Sequence, residues 1–433
     1  MKKGWKRVLA VLGCAALLSG CSGLPQGNVQ VEELLRAPRL SGDYGALQSA
    51  LNEWLGESAQ LKYPLNGELL SPFLLGDWDG DGVQDAAVLY TTAQTSNVCL
   101  AVLQRNEENN WRVCSATEGL ADTVDSVRFA QLQDSTTDQI VVGYTASQGT
   151  EYLAVYAYRD GEIETILEQP YGYYLVEDIT GTGHEDIVLL RTDEEDASVQ
   201  IELLTADREG GFQQVAVMGL SSDRFSGYAS LAAGEGARGG HYLVLDGWTG
   251  VSGNNLASVL LRFNDETQEM EPAPQIDTDA LYEATLRNVS TLTSRDLDGD
   301  GVVEIPTQPV QTGLINMIQS RRIDVVAWMD YTAIRPQKSF GLLDEEYGYY
   351  LELPSAWQRN MLLRDGDEEG TLEIWDLAGE QLYMSVRVVS AQEDATGWTR
   401  LGVVASLQVQ VKIEPEASES IRGYHLARAL YIL

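Results

Sequence analysis

Asp77-Trp78-Asp79-Gly80-Asp81-Gly82-Val83-Gln84-Asp85 runs directly into the apolar stretch Ala86-Ala87-Val88-Leu89-Tyr90. Carboxylates at positions one, three, five and nine, with the carbonyl of Val83 at seven, are the hard oxygen ligands that calcium takes at about 2.3–2.6 Å. The alternating glycines let the chain turn tightly enough for near neighbours to converge on one point. A ring of oxygens without His or Cys does not suit the softer transition metals. The apolar run that follows has the length and composition of a buried strand. A second copy, Asp296-Leu297-Asp298-Gly299-Asp300-Gly301-Val302-Val303-Glu304, places Val302 at position seven and Glu304 at nine. A third, Asp178-Ile179-Thr180-Gly181-Thr182-Gly183-His184-Glu185-Asp186, keeps both glycines and only the outer acids. Recurrence of one loop at three places predicts a repeat architecture.

Outward from these loops the pattern is one of short strands and turns. After the first loop come Ala86–Tyr90, Asn97–Leu103 and Trp111–Ser115, and the same order recurs after Phe129–Leu132 with Ile140–Tyr144, Tyr152–Tyr156 and Ile163–Leu167. A third unit follows the Asp178 loop and a fourth follows a fully degenerate loop at Ala232–Gly236. The fifth opens with Asp296. Four strands per unit of roughly fifty residues suit a propeller blade, a four-stranded meander stacked on its neighbours. The expected fold is mainly β: a β-propeller of about five four-stranded blades over residues 61–335, with no further helix in that span, then a small α+β domain at 340–433. Arg335-Pro336-Gln337-Lys338 reads as the end of the last blade or a linker.

The two acidic loops, each placed just before a strand and recurring at blade spacing, resemble the FG-GAP and VCBS repeats of integrin-like β-propellers. That resemblance implies calcium in the loop joining the first two strands of a blade, and a protein or glycan as the partner. It spans about 270 residues and fades at Asp178, Gln131 and Ala232. Fold does not fix function, which has to be read from a site. An EF-hand loop would carry an acid at position twelve, but Val88 and Thr307 stand there. An acidic turn that holds no metal is the competing reading of both loops.

At the N-terminus, Lys2, Lys3, Lys6 and Arg7 precede the short apolar core Val8–Leu18, the pattern of a secretory signal. Leu18-Ser19-Gly20-Cys21 resembles a bacterial lipobox, which implies signal removal (1–21), lipidation of Cys21 and anchoring on the outer side of a bacterial membrane. Residues 22–60 read as a tether with one helix, capped by Asp43, with Leu47, Leu51, Trp54 and Leu55 on one face and Gly56 at its end. Cys99 and Cys114 flank an expected hairpin, where a disulfide and two separate thiols both fit the pattern.

Composition and motifs narrow the function. Acidic residues outnumber basic ones 65 to 29, for a net charge of −36, which argues against nucleic acid as a partner and against direct adhesion to an anionic membrane surface. There is no Gly-x-Ser-x-Gly, no Ser-x-x-Lys and no phosphate-binding glycine loop, and only three His are present. No catalytic residue is assigned and the chain is not expected to be an enzyme. The expected activity is binding, with Trp248 in the Gly- and Asn-rich stretch Asp246–Asn255 as a candidate ligand contact at the end opposite the calcium loops. A carbohydrate-active enzyme with a carboxylate pair, and a structural cell-envelope protein, are the alternatives.

Overall fold

The computed structural model describes residues 43–433 except 134–136, 193–197, 208–209, 221–222, 251–252, 309–313, 369, 416 and 418–423. The signal, Cys21 and the first part of the tether lie outside the described residues. Helix α1 covers Asp43–Leu55 and buries Leu47 and Leu51. Gly56 ends it with φ of 72°, its N–H bonded to the Asn52 carbonyl at 3.0 Å. Trp54, expected on the buried face, is 53% exposed instead.

Five antiparallel meanders follow. The first sheet takes Phe73–Gly76, Asp85–Thr91, Cys99–Arg105 and Trp111–Glu118, with Gln60–Leu61 added beside the second of these strands. The second takes Thr123–Ala130, Gln139–Thr145, Glu151–Arg159 and Glu162–Tyr171; the third takes Tyr173–Glu177, Asp186–Thr192, Val199–Ala206 and Phe212–Gly219. The fourth takes Gly227–Glu235, His241–Thr249, Asn255–Asn264 and Glu269–Pro272. The fifth takes Ile305–Thr307, Ile323–Met329, Gln337–Asp344 and Tyr349–Glu352, and the chain returns at Leu430–Ile432 to extend its edge. This is a β-propeller architecture.

Strand alternation explains the stacking. In Asp85–Thr91, Ala87 and Leu89 face the second sheet, where they join Trp78, Val127, Val142 and Tyr156. Ala86, Val88 and Tyr90 face the other way, onto Leu47 and Leu51 of α1. Because both faces are apolar, the strand reads as a continuous hydrophobic run rather than an alternating one. Each fully buried Leu or Val contributes about 1.5–3 kcal/mol from lost water contact. At the far end of the stack, Phe340, Leu342 and Leu351 of the fifth sheet pack on Met361, Ile374, Met384 and Val411 of a sixth. Helix α1 and the sixth sheet therefore bury the two end faces.

Three expectations need correction. A second helix, α2, covers Thr278–Thr285 between the fourth and fifth sheets; the Asp277 side chain caps it by accepting from the Asp279 and Ala280 amides at 3.0 and 3.1 Å. Ala232–Gly236 is not a worn loop: strand Gly227–Glu235 runs through it to a tight turn at Gly236–Gly240. The boundary expected near 340 also moves, because Gln337–Asp344 and Tyr349–Glu352 belong to the fifth sheet. The six-stranded sheet is built from Leu314–Met317, paired in parallel with Met361–Asp365, and then Thr371–Trp375, Leu382–Ser390, Leu407–Ile413 and Thr399–Val404. Short 3-10 turns such as Ser355–Trp357 join it to the fifth.

Candidate metal centres

The acidic loops are variants of one turn, with two fixed anchors. At position nine, a side-chain oxygen accepts the N–H of position two: Asp85 from Trp78 at 3.1 Å, Gln139 from Leu132 at 2.8 Å, Asp186 from Ile179 at 2.9 Å, and Glu304 from Leu297 at 2.8 Å. At position two, the side chain is apolar and enters a core: Trp78 and Leu132 pack in successive interfaces, Ile179 in the next, and Leu297 against the fifth sheet. Trp78 is 1% exposed and meets Phe129 edge-on at 4.8 Å. Sequence reading treated position nine as a metal ligand only. Its repeated role is to hold the loop closed, and the uncharged Gln139 does so as well.

Position one anchors the turn from inside. Asp77 Oδ1 accepts from the Gly80 and Asp81 amides at 2.9 and 3.1 Å, and Oδ2 from Gly82 at 2.8 Å. Asp296 repeats this with Gly299, Asp300 and Gly301 at 2.7, 3.2 and 2.8 Å. The glycines at positions four and six have φ of 75° and 84° in the first loop and 77° and 89° in the second. Only glycine adopts that left-handed backbone without strain. In the Asp178 loop, hydroxyls replace the middle acids: Thr180 Oγ1 donates to Asp186 at 2.9 Å and lies 3.3 Å from Thr182 Oγ1.

In the first loop Asp77, Asp79 and Asp85 each bring a carboxylate oxygen within 4.8 Å of the others. Asp81 stands outside this cluster, with Oδ1 accepting from its own Val83 amide at 2.7 Å. Burial pushes the Asp85 carboxyl up to about 6; the Trp78 amide opposes this, and the charges of Asp79 and Asp81 add to it. Among the described residues, the one side-chain donor that reaches the cluster's carboxylates is neutral: Gln104 Nε2 donates to Asp79 Oδ2 at 2.7 Å, and Gln104 Oε1 accepts from the Cys114 thiol and the Tyr158 hydroxyl, each at 3.3 Å. Hard oxygens converging with no counter-charge among the described residues fit a calcium ion.

The second loop gathers Asp296, Asp298, Asp300 and Glu304 within the same 4.8 Å. Here, however, a cation is already supplied by the chain. Lys338 Nζ lies 2.9 Å from Asp298 Oδ1 and 2.7 Å from Asp300 Oδ2, and it also bonds Glu304 Oε1. Burial would lower the Lys338 ammonium, but bonds from Asp300, Glu304 and Asp298 outweigh it and raise the group above its usual value. Val302 donates its amide to Asp300 at 3.0 Å. The stretch read as the end of the last blade or a linker thus provides a partner for the loop.

Two further candidates fall elsewhere. Cys99 and Cys114 are free thiols, not a disulfide. Register explains this: Cys99 pairs with Glu118 at one end of the strand pair, whereas Cys114 is the extra residue of a bulge opposite Val102 and Leu103, in its middle. Trp248 is not in a loop. It continues strand His241–Thr249, paired with Gly227 and Leu256, and is half-buried. Neighbouring Asp246 is fully buried in an ion pair with Arg287 at 2.7 Å.

The end of the stack opposite the acidic loops holds a cavity of about 390 Å³ between the second, third and fourth sheets, lined by Glu151, Tyr171, Tyr173, Arg191 and Tyr228 among others. Tyr173 is 37% exposed there, and the Tyr171 hydroxyl is buried with no hydrogen-bond partner among the described residues. Burial, then the Asp125 charge, raises the Glu151 carboxyl above its ordinary value. Tyr171 and Tyr174 meet edge-on at 5.1 Å, while Tyr173 lines the cavity.

No family model and no curated protein matches the chain. Among solved structures, it is similar to one titled "Structure of Dos1 propeller", with a TM-score of 0.32 and 11% identity over 82% of each chain. The fold assignment stands on the sheet order and registers described above.

Proposed function

We propose that the chain is a lipid-anchored extracytoplasmic binding module, without catalytic activity, whose propeller is stiffened by calcium and whose partner is a protein or glycan. The signal pattern and Cys21 support the anchor, and the likeness of the loops to FG-GAP and VCBS repeats supports calcium. Asp77, Asp79 and Asp85 are the residues that would hold the ion, which would supply the positive charge those carboxylates lack.

The observation that carries the binding reading is the tyrosine-lined cavity at the end away from the acidic loops. Tyr173, 37% exposed at the cavity, offers a flat face for a sugar ring or an apolar side chain. The test is a panel of soluble oligosaccharides titrated against residues 22–433 by calorimetry, with Tyr171→Phe and Tyr173→Ala. A ligand that binds the wild type and is weakened about tenfold by Tyr173→Ala, at unchanged melting temperature, supports the reading. Unchanged affinity in both variants would exclude this cavity as the binding face.

A further inference from the structure

We infer that Lys338 is the resident cation of the second acidic loop, so that this loop is closed by the chain itself while the first is closed by a metal ion. An ammonium has three N–H donors. Asp298, Asp300 and Glu304 take one each. A calcium ion drawing on the same oxygens at about 2.3–2.6 Å would have to displace that ammonium, since two cations cannot share one carboxylate ring. The lysine is tethered on a strand and about three-quarters of its side chain is shielded from solvent, at 26% exposure. It therefore competes at a local concentration that free calcium does not match.

The repeat itself shows how the difference arises. Lys338 is the extra residue of a bulge in its sheet, set between the pairs Trp328–Ser339 and Met329–Gln337. Counted from the strand that leaves each loop, which in the fifth sheet is Ile305–Thr307 because that loop is closed by the Arg295–Glu304 bridge, the same bulge falls between the second and third strands of three other sheets, where the extra residue is Cys114, Ile166 and Val215. Lys338 and Cys114 are thus structural equivalents, each beside the loop of its own sheet. Where the bulge holds a lysine, the loop receives an ammonium. Where it holds a cysteine, the thiol bonds Gln104, and Gln104 brings only a neutral amide to Asp79. One side chain at one bulge decides which kind of cation closes the turn.

The inference deepens the calcium reading of the first loop, and the two are separated by counting ions. Calcium binding to residues 22–433 is measured by calorimetry, with terbium luminescence as a second probe. The expected counts are one ion for the wild type, none for Asp79→Ala, two for Lys338→Gln and one for Asp79→Ala combined with Lys338→Gln. Cys114→Lys should lower the count from one to none, by bringing an ammonium to the first loop. Lys338→Gln should also acquire a calcium-dependent rise in melting temperature beyond that of the wild type, which keeps the test valid if the variant is destabilised. Two ions in the wild type, or no gain of an ion and no extra rise in Lys338→Gln, would overturn the inference. An ion retained by Asp79→Ala would overturn the first-loop reading, and the Lys338 inference as well unless Lys338→Gln still gains a further ion.

Discussion

Arg287→Met should be among the most damaging single substitutions in this protein. The guanidinium and the Asp246 carboxylate are both 0% exposed and pair at 2.7 Å between the fourth sheet and the segment leading to the second acidic loop. Arg287 also donates to the Leu292 carbonyl at 2.7 Å and to Ser258 Oγ and the Thr285 carbonyl at 3.0 Å each. Asp246 accepts from the Ser230, Ser258 and Ser294 hydroxyls at 2.8, 2.6 and 2.8 Å. Removing one member of such a pair leaves an uncompensated buried charge and costs about 3–5 kcal/mol, whereas replacing both by apolar groups is often neutral. Urea unfolding of Arg287→Met should show that loss, and the double variant Arg287→Met, Asp246→Leu should recover most of it. A loss below about 1 kcal/mol, or a double variant as unstable as the sum of the singles, would refute the reasoning. The pH dependence follows with a definite sign. Burial alone would raise the Asp246 carboxyl, but the Arg287 charge and the bonds from Ser258, Ser294 and Ser230 outweigh it and hold it below its ordinary value. Its contribution is therefore complete above the unfolded value of about 3.9 and is lost as pH falls through the lower folded value. The stability gap between wild type and Asp246→Asn should stay constant from about pH 5 to 8 and close only below about 4; a gap that closes by pH 6 would contradict the assignment.

Gln139→Ala removes the acceptor for the Leu132 and Gln133 amides, at 2.8 and 3.2 Å, and should cost about 1–3 kcal/mol by urea unfolding although no metal is involved. Asp79→Ala should lower the melting temperature in calcium and leave it nearly unchanged in chelator; an equal loss under both conditions would show that Asp79 acts on the fold rather than through an ion. Two thiols should be titratable in the unfolded chain from residue 22 onward. In the native protein the partly buried Cys114 should react first and the buried Cys99 only on unfolding, with no change in the urea midpoint on adding reductant.

The first and last acidic loops were legible because their charges recur at fixed spacing, and the Asp178 loop because its glycines mark left-handed backbone. The features that close these loops were not. Position two varies among Trp78, Leu132, Ile179 and Leu297, and position nine among Asp85, Gln139, Asp186 and Glu304, so that common roles are carried by dissimilar residues. Helix α2 had a signal in Asp277 before Thr278-Asp279-Ala280-Leu281, but its eight residues are too few for a clear apolar period. Trp248 was misjudged because Gly and Asn punctuate its neighbourhood, whereas strand pairing with Gly227 and Leu256 overrides that local preference. Lys338 lies 40 residues beyond Asp298 and follows Arg335-Pro336. Nothing local links it to the loop, since the connection is made by sheet register.

The most direct test of the central claim is a calcium count on residues 22–433, made with thermal unfolding in calcium and in chelator. One bound ion, with a higher melting temperature in calcium, is the predicted result. Two ions would contradict the assignment of Lys338 as the second loop's cation, and none would contradict the first loop as a metal centre.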